Sequence, residues 1–240
     1  MNQPARPLRA LAALAALALP GSAAAGALNP WGARLDDGAG ALTPYVYVMP
    51  DGVVSPSTYV QASFADHFDF IGGVGGTITP GAGGGLSAID LMPRVFVTDT
   101  IGLSLRTIVA PDGSVAYGPE ADATLSRGRS AVTVNVGHRR QGAPEDALTY
   151  AIFAPELFLG DRVSVFLEVD PSYAASSGAA LLAVPGVSLA FDAEAVHTAA
   201  VGVQVDALAG GAPSVGLWYS KAFSTGRRAP APAVAALDPR

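Results

Sequence analysis

The sequence predicts an all-β fold, an antiparallel transmembrane β-barrel of about twelve strands. Three observations carry that expectation. Aliphatic and polar residues alternate along short segments from about residue 42 to residue 223. The chain is 50% hydrophobic and only 14% charged, yet beyond its first 27 residues it holds no run of 18 apolar residues. Connections between the segments alternate between very short and longer, as the two ends of a barrel of hairpins would.

The composition sharpens the second point. Soluble domains carry roughly 25% charged residues, so this chain is poor in charge for one. A helix that crosses a bilayer needs about 20 consecutive apolar residues, which excludes a helical membrane protein. A lipid-facing strand needs an apolar residue only at every second position, and that reconciles an apolar composition with short apolar runs. The 28 glycines and 19 prolines suit many short strands and turns. A net charge of −6 argues against a nucleic-acid partner. The absence of cysteine excludes disulfides, thiolate metal sites and lipoprotein-type acylation.

Residues 1–27 read as an export signal. Arg6 and Arg9 give a positive start, Ala10 to Leu19 an apolar run too short to span a bilayer, and Pro20-Gly21 break it. Small residues follow, and cleavage after Ala25 or after Ala27 fits equally well. Residues 28–41 are expected as a periplasmic lead-in anchored by Trp31, residues 42–223 as the barrel, and residues 224–240 as a flexible tail rich in alanine and proline.

Within the barrel, the alternation places strands near 42–49, 57–64, 68–75, 86–98, 101–110, 114–126, 130–139, 147–159, 162–171, 185–193, 197–206 and 214–223. The stretch Arg162 to Asp170 is the clearest, with Val163, Val165, Leu167 and Val169 on one face and Ser164, Phe166, Glu168 and Asp170 on the other. Val132, Val134 and Val136 oppose Thr133, Asn135 and Arg139 in the same way. Short turns fall at 65–67, 99–100, 127–129, 160–161 and 194–196, and longer connections at 75–85, 140–146 and 172–184. Gly72 to Gly76 and Gly83 to Gly85 are expected in an outer loop, since neither is followed by the lysine and helix of a phosphate-binding loop. Pro93-Arg94, Pro119-Glu120 and Pro155-Glu156 recur a few residues before short turns, and bulges or kinks are expected there because proline donates nothing to a ladder.

The hairpin Ala154-Pro155-Glu156-Leu157-Phe158-Leu159-Gly160-Asp161-Arg162-Val163-Ser164-Val165, with the export signal and the alternating strands, resembles porin-like outer-membrane proteins and transporters of Gram-negative bacteria. The resemblance implies a barrel in the bacterial outer membrane, with short periplasmic turns and longer extracellular loops. It transfers no substrate and no functional residue.

No catalytic residue, metal site or cofactor is expected, and the chain is not read as an enzyme. His67, His138 and His197 match no zinc spacing. Ser130 and His138 share a strand but stand eight residues apart, about 26 Å, too far to form a dyad. Charge on the inner face is more informative. Asp90, Arg94, Arg106, Glu120, Asp122, Glu156, Glu168 and Asp170 are expected to line the lumen, with Asp192 and Asp206 nearer its ends. The expected partners are outer-membrane lipid and small polar solutes or ions, and the expected function is a passive porin-like channel with an acidic, cation-favouring lumen. The alternative is a non-conducting barrel with a structural or surface-interaction role, its interior filled by ion pairs. The oligomeric state is not legible.

Overall fold

A computed structural model describes residues 34–65, 67–141, 147–192 and 195–224. The export signal, Trp31 and the tail from residue 225 lie outside the described residues. Twelve strands follow in order: β1 (Ala39–Val48), β2 (Val54–Ala65), β3 (Phe68–Thr79), β4 (Gly83–Phe96), β5 (Ile101–Val109), β6 (Val115–Arg127), β7 (Ser130–Gln141), β8 (Leu148–Phe158), β9 (Val163–Ala174), β10 (Gly178–Ala190), β11 (His197–Asp206) and β12 (Ser214–Ser224). Each pairs antiparallel with its neighbours in sequence, and β1 closes on β12 with Ala39 opposite Ser224 and Val48 opposite Val215. Closure removes every sheet edge, so the backbone needs no partner from outside the barrel.

The outer face is the apolar one. Leu103, Leu105, Phe153, Leu157, Leu167, Val187, Val201, Val203 and Leu217 are all exposed, while their immediate neighbours in sequence turn inward. The inner face holds Asp69, Asp90, Arg94, Glu120, Asp122, Asn135, Glu156 and Glu168, all buried. A soluble protein would reverse this arrangement, since charges are seldom buried and broad apolar surfaces seldom exposed. No helix among the described residues is long and apolar enough to cross a membrane.

The two ends of the barrel differ in a way the alternation alone did not convey. Residues 75–85 and 172–184, expected as connections, are mostly paired strand, and only residues 80–82 and 175–177 leave the ladders. Gly72 to Gly76 and Gly83 to Gly85 therefore belong to the β3–β4 hairpin, correcting the loop assignment. Thr79 pairs with Gly83, and a positive φ of 77° at Gly81 turns the chain between them. Glycine signals a loop only where the chain needs its freedom. Elsewhere in this hairpin it lets neighbouring groups approach, as at Gly73, where a Cβ would collide with the Tyr59 ring.

The prolines also behave differently from the expectation. No register shift occurs at Pro93, Pro119 or Pro155. Each instead opens the ladder toward the following strand: pairing lapses between Leu91 and Arg94, Tyr117 and Glu120, and Phe153 and Glu156, then resumes in the same register. Toward the preceding strand, Pro93, Pro119 and Pro155 stay paired with Phe70, Leu105 and Val132. An antiparallel residue directs its N–H to one neighbour only, so a missing donor weakens one seam and leaves the other intact. Pro185 on β10 repeats the pattern. The register shifts lie elsewhere, between Ser63 and Ala65 and between Gly75 and Gly76.

Candidate functional site

The candidate site is the barrel interior, which divides into two unlike sectors. Strands β2 to β8 build a network of paired charge. Arg94, with no exposed surface, donates from Nε and Nη2 to the two oxygens of Asp69 at 2.8 and 2.6 Å, a bidentate pair. Its Nη1 reaches Asp122 Oδ2 at 3.2 Å, and its guanidinium lies 4.6 Å over the Phe96 ring. Gln61 donates to Asp69 at 2.8 Å from the other side.

A second guanidinium stands beside the first. Arg106 donates to Asp90 through Nε and Nη2, at 2.9 and 2.5 Å to Oδ2, and its Nη1 lies 3.6 Å from Glu120. Tyr59 donates to Asp90 at 3.1 Å, Asn135 donates to Glu120 at 3.1 Å, and the Tyr150 hydroxyl donates to the other Glu120 oxygen. Arg139 completes the sector with its guanidinium 4.8 Å from the Tyr150 ring. Four carboxylates here face three guanidiniums.

Strands β8 to β12, with β1, build a different wall. Phe166, Val184, Ala200 and Trp218 form a buried apolar cluster, with Tyr45 and Tyr47 packed against it. The rings continue as an arc: Tyr47 meets Trp218 edge-on at 5.3 Å between centroids, Tyr45 meets Tyr47 edge-on at 5.9 Å, and Tyr45 stacks on Tyr59 at 5.8 Å. Within this wall stand Glu156, Glu168 and Asp170. Glu156 accepts a hydrogen bond from Ser164. Glu168 and Asp170 hydrogen-bond each other, and Glu156 Oε2 is buried without a hydrogen-bond partner among the described residues.

The structure thus brings Asp90, Arg94, Arg106, Glu120 and Asp122 together and leaves Glu156, Glu168 and Asp170 outside their network. Asp192 and Asp206 do other work. Asp192 accepts the backbone N–H groups of Val196 and His197, and Asp206 those of Leu208 and Ala209, so both organise connections. Sequence reasoning missed Asp69 and left Arg139 out of the lumen set. The signal for Asp69 was present: it stands between Phe68 and Phe70, whose apolar side chains belong outside.

The histidines lie apart. His67 occupies the β2–β3 turn, His138 contacts Thr149 at 2.9 Å, and His197 contacts the Tyr219 hydroxyl at 2.5 Å. Ser130 donates to the Arg127 carbonyl at the opposite end of β7 from His138. No group of three metal-ligating side chains occurs among the described residues.

Comparison with known proteins agrees on the architecture. No family model and no curated protein matches the sequence. Among solved structures, the chain resembles the COG4313 outer membrane channel from Pseudomonas putida F1, with a TM-score of 0.59 at 11% identity over 80% of this chain and 98% of that one. It resembles the NanC porin with a TM-score of 0.59 at 6% identity, over 76% and 98% of the two chains. The KdgM porin matches with a TM-score of 0.56 at 9% identity, over 76% and 99%, and that porin has also been solved in complex with disordered oligogalacturonate. At such identities the likeness is one of fold: this chain has the twelve-stranded barrel architecture of outer-membrane channels.

Proposed function

We propose that the protein is a porin-like outer-membrane channel for small polar solutes, with an interior that favours cations. The observation that carries this reading is the placement of charge. Among the described residues, seven carboxylates and three guanidiniums point into the barrel while its outer wall is apolar. An interior required only to fill space would be cheaper to build from apolar side chains, because each buried charge must recover its hydration from partners. The excess of carboxylates sets the sign of the field a solute meets. That sign disfavours acidic saccharides of the kind bound by the KdgM porin.

A second reading has its own support. Arg94 is sealed between Asp69 and Asp122, and the Phe166–Trp218 cluster fills the opposite wall, as a non-conducting barrel held in register by interior contacts would require. Recording from refolded protein in planar bilayers separates the two. A channel gives steady conductance steps and a cation-selective reversal potential in a KCl gradient at low salt. Selectivity should fade as the screening length falls from about 30 Å at 0.01 M to about 3 Å at 1 M. Absence of conductance from protein that shows heat-modifiable mobility would leave the second reading standing.

A further inference from the structure

We infer that the wall formed by Glu168, Asp170 and the Tyr45–Tyr47–Trp218 arc is a binding site for organic cations with an apolar body, of the alkylammonium or arylalkylammonium class. The inference rests on the channel reading and names the solute that such a channel would select.

The argument begins with register. Glu168 is flanked by Ala154 on β8 and pairs with Val184 on β10, and Asp170 pairs with Leu182. Among the described residues no cationic side chain neighbours either group. Strands β8 to β12 present no inward lysine or arginine among the described residues: Arg162 lies in a turn, and Lys221 shares the outer face of β12 with Leu217 and Tyr219. The three guanidiniums of the interior are engaged across β3 to β8, with Asp69, Asp90, Glu120, Asp122 and the Tyr150 ring.

Burial then makes the vacancy significant. Glu168 is only 8% exposed and hydrogen-bonds Asp170, and neither its Oε2 nor Asp170 Oδ1 takes a hydrogen bond from any other side chain or backbone group among the described residues. Spaced two residues apart on one strand, their Cα atoms lie about 6.8 Å from each other along the barrel wall. The two carboxyl groups hydrogen-bond each other, which requires a shared proton, and the one negative charge left to the pair has no counter-charge on this wall; a cation is its complement.

The surroundings select which kind. A small hydrated metal ion wants oxygen ligands at several points of its shell, and this wall offers Val184, Leu182 and Phe166 beside the carboxylates. Tyr47 packs against the cluster of Phe166, Val184 and Trp218, whose Val184 lies directly opposite Glu168, with Tyr45 and Trp218 around its ring. Aromatic faces attract ammonium groups, most strongly where water is excluded, and the aliphatic side chains accept the hydrocarbon attached to them. A carboxylate for the charge, rings for the ammonium and an apolar floor for its substituent are the complement of an alkylammonium ion.

The test uses benzylammonium as the probe and p-toluenesulfonate as a ring-bearing anionic control, both applied to channels of the refolded full-length protein in KCl. Benzylammonium should reduce the current in a saturable manner and p-toluenesulfonate should not. In Glu168→Gln/Asp170→Asn the half-blocking concentration, scored against that variant's own open current, should rise about tenfold or more, and in Tyr47→Leu by a smaller factor. Equal block by the anion, or unchanged block in the double variant, overturns the inference while leaving the channel intact. Should the parent protein carry no current, calorimetric titration of the same probe into the detergent-refolded protein decides. Saturable heat that the double variant loses upholds the cation site although the channel reading has failed, and no heat overturns both.

Discussion

Replacing Arg94 by methionine keeps most of the side-chain volume and removes the charge that joins Asp69 to Asp122. The two carboxylates then fare differently. Asp69 retains the Gln61 amide at 2.8 Å, whereas Asp122 is held by Arg94 at 3.2 Å and its Oδ1 already has no hydrogen-bond partner among the described residues. Breaking a buried pair by removing one member costs about 3–5 kcal/mol, because the other charge stays buried and uncompensated. Asp122 should carry most of that cost. Asp122→Asn is the informative contrast, since Arg94 keeps its bidentate pair with Asp69 and an asparagine amide tolerates burial better than a lone carboxylate. It should cost no more than about 1–2 kcal/mol, the scale of one hydrogen bond to a charged group. Equilibrium urea unfolding of protein refolded into lipid vesicles, followed by tryptophan fluorescence and gel mobility, measures both. If Arg94→Met lowers stability no more than Asp122→Asn does, water reaches this arginine and the paired-interior argument fails.

The facing of the strands predicts that Val203→Arg, on the lipid side, costs about 2–4 kcal/mol near mid-membrane, whereas Gln204→Arg one residue away inserts normally; equal insertion yields of the two would refute the assignment. The division of the interior predicts that Glu156→Gln/Glu168→Gln weakens cation selectivity with little loss of stability, while Glu120→Gln/Asp122→Asn destabilises, because only the second pair contacts guanidiniums. Reversal potentials and urea midpoints of the two double variants separate the effects. Gly73→Ala should cost about 1–3 kcal/mol, since the Tyr59 ring that a Cβ would strike is held by its hydrogen bond to Asp90. Asp99→Asn, which removes the exposed partner of Arg34, should shift the unfolding midpoint by less than about 1 kcal/mol.

Much of the wall was legible because a lipid-facing strand imposes a period of two that few other structures share. The expected strands 101–110, 114–126, 197–206 and 214–223 fall within a residue or so of β5, β6, β11 and β12. Strand ends were legible only where a turn residue marked them. The β3–β4 and β9–β10 hairpins run further than expected because glycine, alanine and proline weaken the alternation without ending the ladder, and pairing depends on the neighbouring strand rather than on local propensity. The partition of interior charge was less accessible. Glu120 and Glu156 occupy equivalent places after Pro119 and Pro155, yet one meets Arg106 and the other accepts a hydrogen bond from Ser164 with no arginine beside it among the described residues. What distinguishes them is the content of strands two or more positions away, which no local pattern carries.

One element of that partition could have been read by parity alone. Residues directly opposite each other in an antiparallel ladder share a face, and moving the register by one residue exchanges the faces. The β3–β4 hairpin turns with Thr79 opposite Gly83, and continuing that register would set Asp69 opposite Pro93, leaving Arg94 in lipid. Arginine in lipid is costly, and alternation in β4 already directs Asp90, Met92 and Arg94 inward. The hairpin must therefore gain one residue between its turn and Asp69. The structure places that residue at Ser87, between the pairs Gly75–Ala88 and Gly76–Leu86, and the shifted register sets Asp69 directly opposite Arg94. Glycines line the partner strand there, where a bulge distorts the ladder and small residues accommodate it. The glycine-rich segment that looks most like a loop is thus the device that brings the central ion pair of the barrel into line.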